Sequence, residues 1–515
     1  MKQLSILMTS DTHGYWLDIP GKANLSLRQT VATMKRLKAE INHPTIAIDL
    51  GDFIQGSSFA TYCSQIAGDG QVFARAMNEV GYDLHVIGNH EFNFGFDYRN
   101  RILEQLQAPI VSSNIVSSDN EEPIFDAPYL LMEVDGIKVG IIGVTTHYIP
   151  NWELPEHYAG ITFKDAFETT QYYARLLRPD VDVLVVAYHG GYESDLDTFE
   201  PLEDHTGENQ GARMLQEIPE IDVLLTGHQH RHINQKVGTA WTVQPGFAGE
   251  YVAEVQLTLE EKQITAMSGK LHEAGATPAD DSFNQVLMPE LAEGEAWLKD
   301  VIGNAPLQSV TSDVLKARVY GHPYVELLNQ LQLKETGADF SAIALINDSF
   351  SKFSGPITNE LLLETYPYYN RIAKVAVTGQ DLHEVMEYNL EYLLQDKQGE
   401  IGVNPEYIYP KPRHYNYDLY SGLQMTADLT QPIGQRVQSL VNEATNEPID
   451  KAQTYTLALS QYRAVGGGDF KTFTPDKIIQ ISATDIATLL REALVAYTSE
   501  DWHKINECYR HVEWV

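Results

Sequence analysis

Five short apolar runs punctuate the first half of the chain: LSILMTSDTH, TIAIDLGD, YDLHVIGNHE, VDVLVVAYHG and IDVLLTGHQH. Each is nearly continuous rather than alternating, which predicts strands buried on both faces of a parallel sheet with helical crossovers between them. The later stretch WTVQPGFAGEYVAEVQLTL alternates and predicts strands that close this domain. Around 273–288 the chain turns small, polar and acidic, as a linker does, and PELAEGEAWLKDVIG carries the stripe of a bridging helix. Strand and helix patterns then resume: GADFSAIALIND, then GPITNELLLETYPYYNRIAKVAVTGQDLHEVMEYNLEYL, then LALSQYRAVGGGDF. The expected organisation is an α/β domain over 1–272, a linker with a bridging helix over 273–300, and a second α/β domain over 301–515.

What ends the five runs carries the chemistry. They terminate in Asp11-Thr12-His13, Gly51-Asp52, Gly88-Asn89-His90-Glu91, His189-Gly190 and Gly227-His228-Gln229-His230. Taken singly, an Asp-x-His pair is a turn or a helix cap, and a strand-end His is an ordinary polar group. In open α/β sheets, however, ligands bind outside the carboxyl ends of the strands, and here five strand ends deliver imidazole, carboxylate and amide groups to one edge. That donor mixture suits Zn, Mn or Fe and not an all-oxygen calcium cage. Two adjacent divalent ions held this way equip a protein to cut phosphate esters with an activated water.

The set resembles the calcineurin-like metallophosphoesterase superfamily. That resemblance implies a four-layer αββα domain in which Asp11, His13, Asp52 and His230 hold one metal. Asp52, Asn89, His189 and His228 then hold a second, with Asp52 bridging. His90 resembles the catalytic His that faces the scissile phosphate, and Asn93 would orient it without adding charge.

The second domain offers different material. Asn347 and Asp348 end a strand, Tyr415 and Tyr417 lie in a loop before another, and Tyr462, Gly467 and Asp469 follow a third. Exposed aromatics beside glycines suit base stacking, and three consecutive glycines do not make a core. The two-domain arrangement is similar to the 5′-nucleotidase family, whose C-terminal α/β domain binds the nucleotide. Typical members carry Asn-His-Glu-Phe-Asp and an Arg-containing glycine turn. Here Asn93 stands where that Asp is expected, and Leu345–Phe350 contains no Arg. These departures, with Tyr366–Asn370, His414–Asp418 and Tyr462–Gly468, resemble the 2′,3′-cyclic-nucleotide 2′-phosphodiesterase/3′-nucleotidase branch. The resemblance implies a nucleoside base held between Tyr417 and Tyr462, with Asn347 or Asp469 reading its edges. A 5′-nucleotidase, a hydrolase of UDP-sugars or dinucleotides, and a non-catalytic nucleotide-binding protein are the alternatives.

Composition narrows the partners. With 36 basic and 71 acidic residues the net charge is −35, which argues against nucleic-acid polymers, whose affinity rests on Lys and Arg. A small phosphorylated ligand stays compatible, because bound cations dominate a local field. The two cysteines, Cys63 and Cys508, imply no disulfide framework. The first apolar run leads straight into Asp11, so it reads as a strand and not as a secretory signal, and no run approaches the ~20 residues of a membrane span. A cytoplasmic protein without a membrane association is the expectation.

Overall fold

The computed structural model describes residues 1–17, 25–279, 281–308, 310–367, 370–409 and 412–515. Tyr368 and Tyr369, part of the Tyr-rich turn singled out above, lie outside the described residues. The chain divides into two compact units, Met1–Trp297 and Leu298–Val515.

In the first unit two sheets stack. One runs, in spatial order, Gln263–Glu273, Tyr251–Glu260, Lys2–Thr9, Thr45–Asp49 and Leu84–His85. Its last three strands are mutually parallel. The other runs His232–Val237, Ala240–Pro245, Val223–Thr226, Val183–His189, Ile137–Thr145 and Tyr129–Val134, parallel through its four central strands. Leu4, Ile6, Ile48, Val139, Val185, Leu225 and Val255, from both sheets, share one core. Every one of these side chains is excluded from water, which is why the runs lack polar alternation. The outer faces are covered by helices. Leu27–Glu40 and Gln71–Val80 pack over the first sheet, and Ala166–Leu177 and Gly211–Glu217 over the second. The result is helix, sheet, sheet, helix, the four-layer α/β arrangement.

The polar stretch near 273–288 does not stand apart from this unit. Thr277 is hydrogen bonded to Thr33 through their hydroxyls at 2.8 Å, and Phe283 and Leu287 are buried in the core beneath the first sheet. Gly275, which reads as part of a linker, lies in the single 3₁₀ turn Ala274–Ala276, and Asp281 opens the helix Asp281–Leu287.

The second unit centres on a five-stranded sheet ordered Asp418–Ser421, Phe340–Ala344, Thr454–Ser460, Arg371–Thr378 and Ile478–Asp485. Helix Gly379–Leu390, capped by Thr378 with Asp381 reaching back, buries Leu382, Val385 and Met386 beside it. His511 is clasped in this unit between Glu326 (2.9 Å) and Glu443 (2.7 Å). Burial alone would lower its pKa, but the two carboxylates raise it from 6.5 to about 9. A folded-state pKa above the unfolded one stabilises fully below the unfolded pKa and is lost as pH rises through the folded pKa. The melting midpoint of this unit is therefore expected to fall between pH 6.5 and about 9. Differential scanning calorimetry of the parent and His511→Gln checks this, since the variant should lose that slope. A parent without the slope refutes it.

Candidate metal centre

The carboxyl ends of five parallel strands bring the ligand candidates of the first unit together. Two groups lie close enough to share an ion: Asp11 with His13 and His230, and Asp11 with Asp52 and His189. The Nε2 atoms of His13 and His230 are 3.0 Å apart, and His230 Nε2 lies 3.4 Å from Asp11 Oδ1. His189 Nε2 is 3.1 Å from Asp52 Oδ2 and 3.2 Å from the side-chain oxygen of Asn89. That same Asn89 oxygen is 2.9 Å from His228 Nδ1. All seven ligand candidates thus face one space, and backbone bonds from Asp11 N to Gly51 O (3.0 Å) and from His13 N to Asp52 O (2.8 Å) tie the loops together.

Three of the four imidazoles have their tautomer set from outside. His13 Nδ1 faces the Gln55 carbonyl at 2.8 Å, and His189 Nδ1 faces the Leu50 carbonyl at 2.6 Å. A carbonyl only accepts, so each Nδ1 carries a proton and each Nε2 points inward; at His189, whose pKa burial would lower but Asp52 raises to about 10, a cation there would displace the Nε2 proton. His228 is reversed: Nε2 donates to Glu208 Oε1 at 2.9 Å, leaving Nδ1 to face Asn89. Trp152 stacks on His228 (5.4 Å) and Phe247 on His230 (4.9 Å), fixing both rings. Converging lone pairs beside buried carboxylates fit a divalent cation, and this donor set passes that test.

The electrostatics agree. Burial pushes the Asp52 carboxyl up, but His189 and His90 hold it well below the usual carboxylate range. Asp11 is likewise held low, by His230 and His189 against burial. His13 falls to about 3, through burial first and the neighbouring His230 next. Beneath them Glu91 accepts from the amides of Asp52, Phe53 and Gly88, each at 2.8 Å. Its pKa rises to about 8 through burial and the Asp52 charge. A side chain on Gly88 would collide with Asp52 and His189, and one on Gly227 with Ser10 and Asp11, which explains the glycines in both motifs.

Asp11, His13, Asp52, His228 and His230 all have φ between 50° and 66°, the left-handed region that most non-glycine residues avoid and Asp and His enter more often than others. Five of the thirteen described non-glycine residues with positive φ are thus ligand candidates, so backbone strain is concentrated at this centre.

His90 adjoins the cluster. Its ring lies 5.3 Å from that of His13, and its amide donates to Asp52 Oδ1 at 2.8 Å. His90 Nδ1 is 2.6 Å from Asn93 Oδ1, and Asn93 Nδ2 donates to Glu153 Oε2 at 2.6 Å. Glu208 and Glu153 were missed in the sequence. Each stands far along the chain from the residue it serves and has no local motif.

The second unit treats its candidates unevenly. Tyr415 and Tyr462 come together, with ring centroids 6.5 Å apart. Tyr417 does not join them: it is 2 % exposed and stacks on Tyr392 in the core, so a base cannot lie between Tyr417 and Tyr462 as expected. Gly467 lies flush against the Tyr462 ring, with no room for a side chain. Asp469 is exposed, 4.0 Å from Arg413. Asn347 is engaged in its own turn, donating to Glu364 O (2.8 Å) and accepting from Ser349 N (3.0 Å), which leaves the reading of a base edge to other groups. Asp348 beside it is exposed. Behind the glycine loop sits buried Arg463, which was not singled out. It grips Asp418 through two nitrogens (2.8 and 3.1 Å), donates to Tyr415 O (2.6 Å) and to Gly467 O, and covers Phe470.

Comparison with known proteins places this geometry. Residues 4–232 match the calcineurin-like phosphoesterase family, and residues 301–475 the 5′-nucleotidase C-terminal domain. A Haemophilus influenzae protein named 2′,3′-cyclic-nucleotide 2′-phosphodiesterase/3′-nucleotidase is 25 % identical across 98 % of this chain and 86 % of its own length. UshA of Yersinia enterocolitica is 23 % identical across 91 % and 86 %. A solved structure from Staphylococcus aureus, described as a candidate 5′-nucleotidase in complex with alpha-ketoglutarate, is 31 % identical, covers all of both chains and superposes with a TM-score of 0.91. The chain therefore belongs to the 5′-nucleotidase/2′,3′-cyclic-nucleotide 2′-phosphodiesterase family, with an N-terminal calcineurin-like metallophosphoesterase domain, and is a phosphoester-hydrolysing enzyme.

Proposed function

We propose that this enzyme hydrolyses 2′,3′-cyclic nucleotides and 3′-nucleotides at a two-metal centre. The observation that carries the reading is the convergence of seven donor side chains beside His90. Asp11, His13, Asp52 and His230 would hold one ion. Asp52, Asn89, His189 and His228 would hold the other. Bound divalent ions would supply Lewis-acid neutralisation of the phosphoryl charge and a nucleophilic water at neutral pH.

His90, with Nδ1 engaged by Asn93, keeps Nε2 as the atom that can hold a proton for the leaving alkoxide. In a cyclic diester, water adds to phosphorus, the bond to O2′ breaks and O2′ takes a proton, giving a 3′-monophosphate. A second turnover breaks the bond to O3′ and yields nucleoside and phosphate. Tyr415 and Tyr462, with Asp469 on the loop that follows Tyr462, would take the nucleoside, so Tyr462→Ala is expected to raise KM with little change in kcat.

The choice of cyclic and 3′ substrates is supported by Asn93, by the Arg-free turn Leu345–Phe350 and by the name of the Haemophilus relative. The description of the Staphylococcus structure favours a second reading, a 5′-nucleotidase. Product release from 2′,3′-cyclic AMP, 3′-AMP and 5′-AMP with added Mn²⁺ separates the two. Dominant hydrolysis of 5′-AMP overturns the first.

Glu208 bears on the second ion directly, because its carboxylate sets the His228 tautomer. Glu208→Ala is expected to weaken metal binding by roughly 10–100-fold. Metal content after dialysis against graded chelator measures this, and unchanged retention removes the role.

A further inference from the structure

The geometry points to Glu153 as the positioning residue for His90, acting through Asn93. This rests on the reading of His90 as the group that holds the leaving-group proton. The chain of contacts runs from His90 Nδ1 to Asn93 Oδ1 (2.6 Å), from Asn93 Nδ2 to Glu153 Oε2 (2.6 Å), and from His157 Nδ1 to Glu153 Oε1 (2.8 Å). Leu154 N also donates to Glu153 Oε1 at 2.9 Å. The Glu153 side chain is only 9 % exposed, so these contacts are little diluted by water.

Donor and acceptor chemistry fixes the order. A carboxylate accepts only, so the Asn93 NH₂ must face Glu153 and the Asn93 oxygen must face His90. That oxygen also accepts only, so His90 Nδ1 must carry a proton. Nε2 is then left to exchange its proton with the substrate. Without Glu153 the amide is free to turn over, present NH₂ to His90 and force the opposite tautomer, in which Nδ1 accepts and the neutral ring holds its one proton at Nε2, unable to give it up without becoming an anion. A catalytic imidazole held in the wrong tautomer loses most of its activity even when its position is intact.

In the 5′-nucleotidase motif an Asp occupies the Asn93 position. Here the carboxylate stands one hydrogen bond further out, and a neutral amide relays its orientation. The arrangement has a corollary. Asn93→Asp alone restores the family motif but sets two carboxylates at 2.6 Å. Paired with Glu153→Gln it restores one carboxylate and one amide, exchanged in place.

The test combines kinetics with a spectrum that does not depend on turnover. In protein labelled with ¹⁵N-histidine, the His90 signals are identified by their loss in His90→Ala. Glu153→Ala is expected to shift the His90 proton from Nδ1 to Nε2. It should also lower kcat about ten-fold or more with KM and metal content held. Glu153→Gln, which again offers the amide an acceptor, should recover most of that loss. Asn93→Asp should be impaired, and Asn93→Asp/Glu153→Gln should regain activity over it. An unchanged His90 tautomer in Glu153→Ala overturns the inference. So does a double variant no better than Asn93→Asp at a parental melting midpoint. If His90→Ala itself keeps parental kcat, the role of His90 falls, and the tautomer still decides whether Glu153 orients it.

Discussion

Asp52→Asn is expected to lower turnover by roughly a thousand-fold or more, since the metals contribute several kcal/mol and each 1.4 kcal/mol is ten-fold in rate. Asp52 is 1 % exposed and meets three functional groups at once. One oxygen lies 3.1 Å from His189 Nε2, and the other accepts from the His90 amide at 2.8 Å. Its carbonyl receives the His13 amide at 2.8 Å. Asparagine keeps the size and an oxygen for the His90 amide but removes the charge that the proposed ion sites would need. The loss should therefore appear as reduced metal content and reduced kcat with native circular dichroism. A variant that turns over within ten-fold of the parent and retains its metal would remove Asp52 from the centre.

Arg463→Met is expected to destabilise the second unit by about 3–5 kcal/mol, the usual consequence of leaving one member of a buried ion pair alone. Arg463 and Asp418 are each 4 % exposed, and burial would lower the Arg463 pKa if Asp418 did not raise it. The same guanidinium holds Tyr415 O and Gly467 O, so its loss frees both strands of the loop that carries the candidate nucleoside surface. Hydrogen exchange of peptides spanning 415–470, measured against urea, reads the local stability. KM for nucleotide should rise in parallel. Removing the carboxylate as well, in Arg463→Met/Asp418→Leu, should recover part of the lost stability, because no uncompensated charge stays buried. If the single variant unfolds within about 1 kcal/mol of the parent, the pair is not what holds the loop.

The candidate metal centre was legible because each candidate ligand group is a local event: an apolar strand, a glycine that clears space, and a polar residue at the strand end. The rule that sites lie at the carboxyl ends of parallel strands then gathers them, although three of the strands belong to one sheet and two to the other. Glu208 and Glu153 were illegible for the opposite reason. Their partners stand 20 and 60 residues away, and nothing separates them from the other acidic residues until the chain has folded. Tyr417 failed differently. Tyr415, Tyr417 and Tyr462 look alike in sequence, but Tyr417 directly precedes the strand Asp418–Ser421 and turns onto Tyr392. The Arg463–Asp418 pair was hidden in a loop whose glycines drew attention to a surface. Those glycines serve in part to let the loop close on the buried arginine and on Tyr462.

The left-handed backbone at Asp11, His13, Asp52, His228 and His230 has an evolutionary consequence. Glycine meets no steric penalty in that conformation, whereas most other L-residues lose roughly 1 kcal/mol at each such position, and Asp less. A library of this chain screened only for heat resistance should therefore drift toward glycine at these five places. The survivors would be sturdier and inert. Conversely, descendants released from catalysis should betray themselves first here, by glycines where the candidate ligands stood, while the apolar strands beneath stay as they are.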